Sequence, residues 1–109
     1  MSRAKGNLAE EKACEFLINN GFNIVERNFY SRFGEIDIIA TKGEVLHFVE
    51  VKSGDDYEKA ILNITRTKLS RIIRTSDIYI KKNVYNSDFQ YDAVIITISD
   101  IYHLENITM

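Results

Sequence analysis

Two apolar segments, 35–40 and 45–53, are separated only by Thr41-Lys42-Gly43-Glu44, and this spacing leaves the chain few options. Four residues with a glycine among them are too short for a crossover and suit a β-hairpin, so the segments pair antiparallel. Side chains alternate across a strand, which places Glu35, Asp37 and Ile39 on one face and Ile36, Ile38 and Ala40 on the other. On the second strand Leu46, Phe48, Glu50 and Lys52 share a face, opposite Val45, His47, Val49 and Val51. A two-residue turn at Lys42-Gly43 pairs Glu35 with Glu50 and Asp37 with Phe48, bringing Glu35, Asp37, Glu50 and Lys52 to one side.

Three carboxylates beside Ile39, Leu46 and Phe48 repel one another unless a cation neutralises them. An all-oxygen donor set calls for a hard divalent ion, Mg²⁺ first and Mn²⁺ second. The ammonium of Lys52 in the same group can reach a phosphate, orient an attacking water and stabilise charge growing on phosphoryl oxygens. An exposed sheet face also yields a Glu-x-Lys tripeptide. What sets this one apart is the acid in the preceding strand and the apolar neighbours on both strands.

Around the hairpin the order reads αβββαββ. Leu8, Ala9, Ala13, Phe16 and Leu17 recur at helical spacing over 8–20, with Gly21 where a C-cap belongs. Residues 22–30 form a strand with polar interruptions, partly exposed on one face. Thr65 serves as N-cap of a second helix running to Lys82, with Leu69, Ile72, Ile73, Ser76 and Ile80 inward, and 55–64 is a loop or an extra turn. An apolar strand over 92–98, a turn at Ser99-Asp100 and a short strand over 101–105 complete an α/β fold.

At 109 residues without proline or a low-complexity stretch, the chain has the size of one domain and buries roughly two-thirds of its unfolded surface without a disulfide. The single cysteine, Cys14, reads as a small buried apolar residue, and two histidines make a four-ligand Cys/His zinc site improbable. His47, opposite the acidic face, and His103, near the tail, each read as a structural or surface histidine rather than a ligand. The polar start Met1 to Asn7 and the absence of any long apolar run speak against export and membrane spanning, and with one thiol a cytoplasmic location is expected.

The net charge of −2 conceals a pattern: residues 61–82 carry +5, while 35–60 and 83–109 each carry −4. On the second helix Lys68, Arg71 and Arg74 offer a row of phosphate contacts, although a solvated helix face would carry the same charges. Lys68 stands in the first turn, where the helix dipole disfavours a cation, and so is the first to test for a role toward a partner. Arg32, just before the acidic strand, is placed to touch a substrate backbone or to pair with an acid.

These blocks resemble the PD-(D/E)xK nuclease superfamily, and within it the YraN-like family of predicted endonucleases, similar in turn to archaeal Holliday-junction resolvases. The resemblance rests on Gly6-Asn7-Leu8-Ala9-Glu10, Arg27-Asn28, Arg32-Phe33-Gly34-Glu35-Ile36-Asp37 with Ile38-Ile39-Ala40, and Phe48-Val49-Glu50-Val51-Lys52. Lys68, Tyr91-Asp92-Ala93-Val94 and His103-Leu104-Glu105-Asn106 extend it over nearly the whole chain. It implies a restriction-endonuclease-like core, a mixed β-sheet flanked by helices. It also implies Asp37, Glu50 and the Val51 carbonyl as metal ligands, Lys52 as the catalytic lysine and Glu10 as an accessory acid. Helical spacing supports Glu10 separately, since Cys14 and Leu17 continue its stripe, while Glu11 falls with Glu15 and Ile18.

Two departures stand out. No proline precedes Asp37, and Ser53-Gly54-Asp55-Asp56 stands where relatives carry threonine and arginine. The expected function is Mg²⁺-dependent hydrolysis of DNA phosphodiesters, with branched repair or recombination intermediates as substrates and a homodimer by analogy with junction-cleaving enzymes. The alternative is a nucleic-acid-binding or partner-binding module that keeps the fold without turnover. Paired-carboxylate glycoside hydrolysis is set aside, because a chain without tryptophan lacks the platforms of a sugar cleft.

Overall fold

The computed structural model describes residues 3–108, with side chains from Asn7 onward. Met1 and Ser2, part of the polar start, lie outside the described residues. The order is α1 (Arg3–Asn19), β1 (Asn23–Ser31), β2 (Gly34–Lys42), β3 (Val45–Ser53), α2 (Tyr57–Leu62), α3 (Arg66–Lys82), β4 (Phe89–Ile96) and β5 (Ile101–Leu104). The stretch between the hairpin and the second predicted helix therefore holds a helix of its own, α2, started by the Asp56 side chain accepting from the Glu58 N–H. Among the described residues no helix is long and apolar enough to cross a membrane.

The five strands lie in sequence order in one mixed sheet. Only β3 and β4 run parallel, and the right of way between them is the α2–α3 crossover that a parallel pair requires. Helix α1 covers one face, where Ala9, Ala13 and Leu17 meet Ile38, Ala40, Val49, Val51 and Val94. Helix α3 covers the other, where Ile72 and Tyr79 meet Ile36, Ile39, Leu46, Phe48 and Tyr91. Burial on both faces explains why β2 and β3 read as nearly continuous apolar runs. Edge strand β1 is mostly exposed, as its polar interruptions require.

The local signals act as expected at both long helices. Thr65 caps α3, its hydroxyl accepting from Lys68 N–H at 3.2 Å. The helix buries Ile72, Thr75, Ser76 and Tyr79, so its inward face is rotated toward polar residues relative to the predicted stripe, and Leu69, Ile73 and Ile80 are only half-buried. Thr75 is accommodated by a 2.8 Å hydrogen bond to Ser31, and Ser76 by bonds to the Ile73 carbonyl and the Tyr91 hydroxyl. At the end of α1, Gly21 takes φ +89, with Phe22 N–H donating to Leu17 and Gly21 N–H to Ile18, the paired bonds of a glycine C-cap.

The hairpin differs from expectation in register. Lys42 pairs with Val45, so the turn is Gly43-Glu44 rather than Lys42-Gly43, with Gly43 at φ +62. The ladder runs to Ile38 opposite Val49, and the next level sets Asp37 beside Glu50 rather than Glu35 beside Glu50. A shift of two residues preserves side-chain parity, so the acidic face survives the change. Alternation itself fails at one point. Ile36 belongs to the core under α3 while Ile38 belongs to the core under α1, and on β1 Phe29 and Arg27 divide in the same way. Asn28, with φ +53, stands between Phe29 and Arg27 and opposite Asp37. Both strands change face there together, and their pairing passes through without a register shift.

Candidate metal and phosphate site

The change of face gathers acids from both layers. Glu10 from α1, Glu35 and Asp37 from β2 present carboxylate oxygens that all lie within 4.8 Å of one another. Glu50 reaches the same point from β3 on the side of α3, where its charge acts directly on Asp37. Glu10 is turned inward and largely covered, with Asn28 donating to it at 2.9 Å and Arg27 at 3.7 Å, whereas Glu11 stays exposed and meets Arg27 at 3.6 Å. Its place on the stripe of Cys14 and Leu17 accounts for this difference.

Asp37 is buried, and its carboxyl is pushed up to about 9. Burial is the largest cause and the charge of Glu50 the second; hydrogen bonds to Glu35 and Glu50 act in the same direction, and the Val51 N–H alone opposes them. That N–H donates to Asp37 Oδ2 at 2.8 Å, so the β2–β3 ladder is continued here by a side chain. A carboxyl in this setting keeps its proton at neutral pH unless a cation replaces it. The oxygen-only donor set of Glu10, Glu35, Asp37 and Glu50 fits a hard divalent ion.

Lys52 stands on the same face of β3 and meets Glu50 at 3.4 Å. Lys68, half-buried, approaches it from the first turn of α3. The ammonium of Lys68 is lowered chiefly by the charge of Lys52, then by burial and a hydrogen bond to Lys52, with Glu50 opposing. Two neighbouring ammonium groups facing carboxylates form a local field suited to an anion held against a cation. A cleft of about 180 Å³ opens at this point between Gly34, Glu35, Glu50, Lys52, Lys68, Arg71 and Ile72. A second hollow of about 340 Å³ continues past Lys52 and Lys68 along Val51, Ser53 and Asn63. Gly34 takes φ +153, a backbone conformation that L side chains rarely adopt, whereas a Cβ there would make only ordinary contact with that of Arg71 at 3.5 Å, so the backbone and not the approach of α3 calls for glycine.

The residues expected at a site thus separate into two groups. Glu10, Glu35, Asp37, Glu50, Lys52, Lys68 and Arg71 are brought together, with Val51 supplying the N–H to Asp37. Arg32 and Arg74 lie outside the cleft and hold the ring of Phe33, with guanidinium carbons 4.9 and 5.4 Å from its centroid. Arg74 also borders an open groove of about 600 Å³ with Arg66, Leu69, Ser70, Ile73, Ile107 and Thr108. Cys14 is buried beside Glu10, and burial raises its thiol, in keeping with an inert core residue.

A second polar cluster joins His47 to the blocks Tyr91-Asp92-Ala93-Val94 and His103-Leu104-Glu105-Asn106, for which the resemblance implies no role. Asp92, fully buried on β4, receives His47 Nδ1 at 2.6 Å and His103 Nε2 at 2.8 Å on one oxygen, and Gln90 and the Asn106 N–H on the other. His47 lies on the face of β3 opposite Glu50 and Lys52, as strand alternation predicts, on the α1 side from which Glu10 also comes. The parallel pairing of β3 with β4, which brings Asp92 to it, has no local signature.

The model of the family described as "Uncharacterised protein family UPF0102" matches residues 9–96. The chain is 63% identical to a UPF0102 protein of Sulfurimonas denitrificans over 109 residues, covering all of both chains. It is 53% identical to one of Aliarcobacter butzleri over 110 residues, again with full coverage of both. A Helicobacter pylori relative is 55% identical over 106 residues, which is 97% of this chain and 92% of that one. The chain belongs to the uncharacterised protein family UPF0102.

Proposed function

We propose that this protein is a metal-dependent phosphodiesterase acting on DNA, an endonuclease of branched or otherwise non-linear forms. The observation that carries the reading is the meeting of the Glu10, Glu35 and Asp37 carboxylates, with Asp37 raised to about 9, beside a cleft lined by Glu35, Glu50, Lys52 and Lys68. Glu10, Glu35, Asp37 and Glu50 would hold Mg²⁺ or Mn²⁺, with the Val51 carbonyl as a further donor. When bound, the ion supplies charge for the phosphoryl oxygens and an acidified water. Lys52 holds a phosphoryl oxygen and orients the water, and Lys68 adds a second positive charge on the same phosphate. Arg71 at the rim takes a neighbouring phosphate, while Arg32 and Arg74, splayed by Phe33, extend the track outward. A cytoplasmic homodimer is the working form we infer for a DNA substrate of two-fold shape.

A cleavage panel of linear, nicked, flapped and four-way DNA with Mg²⁺ or Mn²⁺, run beside Lys52→Ala, tests activity and substrate together. Cleavage of at least one form, reduced a hundredfold or more by Lys52→Ala, is expected. Asp37→Asn cleaving as well as the parent chain would refute the assignment. Binding without cleavage of any form favours the second reading, a module that holds nucleic acid without turnover. The net acidity of the chain and the missing arginine after Lys52, where Ser53-Gly54-Asp55-Asp56 stands, are the features that favour it.

A further inference from the structure

The chain has two histidines, 56 positions apart, and both end on the same carboxylate oxygen. His47 comes from β3, Asp92 from β4 and His103 from β5, three adjacent strands, all on the face under α1. Phe22 stands edge-on to both imidazoles, at 4.8 and 5.5 Å, and Phe16 of α1 lies 6.5 Å from His103, so the group is walled by aromatic rings. Glu105, exposed, completes it: one donor atom from each of His47, Asp92, His103 and Glu105 lies within 4.8 Å of the others.

We propose that this cluster is a second metal site, distinct from the carboxylate cleft, that takes a transition ion of the Zn²⁺ type. Two imidazoles and two carboxylates match the borderline donors and the four-coordination such an ion prefers, and differ from the all-oxygen set around Asp37. Charge argues in the same direction. Asp92 is a carboxylate at full burial, and Glu105 adds a second acid beside it. One imidazolium neutralises one carboxylate; a divalent cation neutralises both. The surroundings are arranged as metal sites are. Asp92 Oδ1 is held at 2.9 Å by Gln90 Nε2 and at 3.2 Å by Asn106 N–H, which turns Oδ2 toward the two rings, and the same Gln90 amide reaches Glu105 at 3.5 Å. A tetrahedral ion with bonds near 2 Å separates its ligand atoms by about 3.3 Å, so from Oδ2 the imidazole of His47, now at 2.6 Å, need retreat only about 0.7 Å and that of His103, now at 2.8 Å, about 0.5 Å. Glu105 at the surface provides the way in. Since β3 also carries Glu50 and Lys52, an ion here ties the strand of the cleft to β4 and β5.

The test uses the full, untagged chain carrying Asp37→Asn, stripped with chelator, so that the carboxylate cleft is weakened as a competitor. Titration with Co²⁺ is followed by visible absorption, then Zn²⁺ is added. One Co²⁺ per chain with the intense bands of a tetrahedral site, displaced by Zn²⁺, is expected. His103→Gln in the same background abolishes the bands. Glu105→Gln, which removes only an exposed carboxylate, weakens binding about tenfold and leaves the fold intact even if the histidine variant does not fold. Absence of a tetrahedral spectrum at micromolar Co²⁺, or a spectrum unaltered by Glu105→Gln, overturns the proposal and leaves a hydrogen-bonded clasp.

Discussion

The Val51 N–H donates to Asp37 Oδ2 at 2.8 Å, so the main chain of the strand that bears Glu50 and Lys52 fixes the orientation of the acid on its neighbour. The same bond is the only influence that favours the charged form of Asp37 against burial and two other acids. The acid is therefore held in place while its proton is retained, which is the condition of a carboxyl awaiting a cation.

Asp37 links stability to pH in the metal-free protein. Its ordinary value of 3.8 is raised to about 9 on folding, so across that window the folded chain binds more protons than the unfolded one. Stability is then fully present below about pH 4 and declines as pH rises toward 9. Asp37→Asn removes this slope. Thermal unfolding in chelator should show the variant gaining on the parent chain at pH 8 relative to pH 5, and a parallel pH dependence in both proteins would contradict the assignment.

Asp92 has the opposite sign. Burial acts to raise it, but hydrogen bonds from His103, Gln90, His47 and Asn106 outweigh burial and hold the carboxylate below its ordinary range. Its contribution is present above the unfolded value and is lost as pH falls through the folded one. Asp92→Asn, which cannot accept from all four donors, should cost about 3 kcal/mol at pH 7 in urea unfolding of the metal-free chain, and less at pH 3.

Asn28 occupies the left-handed region at φ +53 while its side chain holds Glu10. Asn28→Val should destabilise by about 2 kcal/mol or more, because a β-branched residue is strained there. Asn28→Gly keeps the backbone and loses only the hydrogen bond, about 1 kcal/mol. Equal losses in the two variants, measured by urea midpoints, would remove the backbone argument.

Lys68 and Arg71 at the rim of the cleft should each account for about one unit of the slope of log affinity against log salt for DNA. Lys12, exposed on α1, provides the comparison, and Lys12→Gln should leave the slope unchanged. Fluorescence anisotropy at several salt concentrations, in chelator to prevent cleavage, distinguishes the positions. Equal slopes for Lys12→Gln and Lys68→Gln would show attraction without a defined track.

Much of this was legible before any coordinates. Period-two alternation put Glu50 and Lys52 on one face of β3, helical spacing turned Glu10 inward, and the Thr65 and Gly21 caps bounded the helices. The hairpin register was out by two residues because Lys42-Gly43 and Gly43-Glu44 are both compatible with a tight turn, and parity protected the face from that error. The change of face at Asn28 was not legible, since a left-handed asparagine inside a strand carries no periodic signal. The Asp92 cluster was not legible for another reason: parallel neighbours are set by a crossover of two helices, and His47, Asp92 and His103 meet only after it is closed.

The change of face at Asn28 and Asp37 has a mechanical consequence. A sheet ordinarily insulates the two layers it separates, but here a carboxylate of the helix behind the sheet comes within 4.8 Å of the carboxylates of β2. Substitutions on the rear of the molecule, at Asn28 or Arg27, should shift the Glu10 carboxylate against Glu35 and Asp37 without touching a residue that lines the cleft. The back of the protein works as a dial for its mouth.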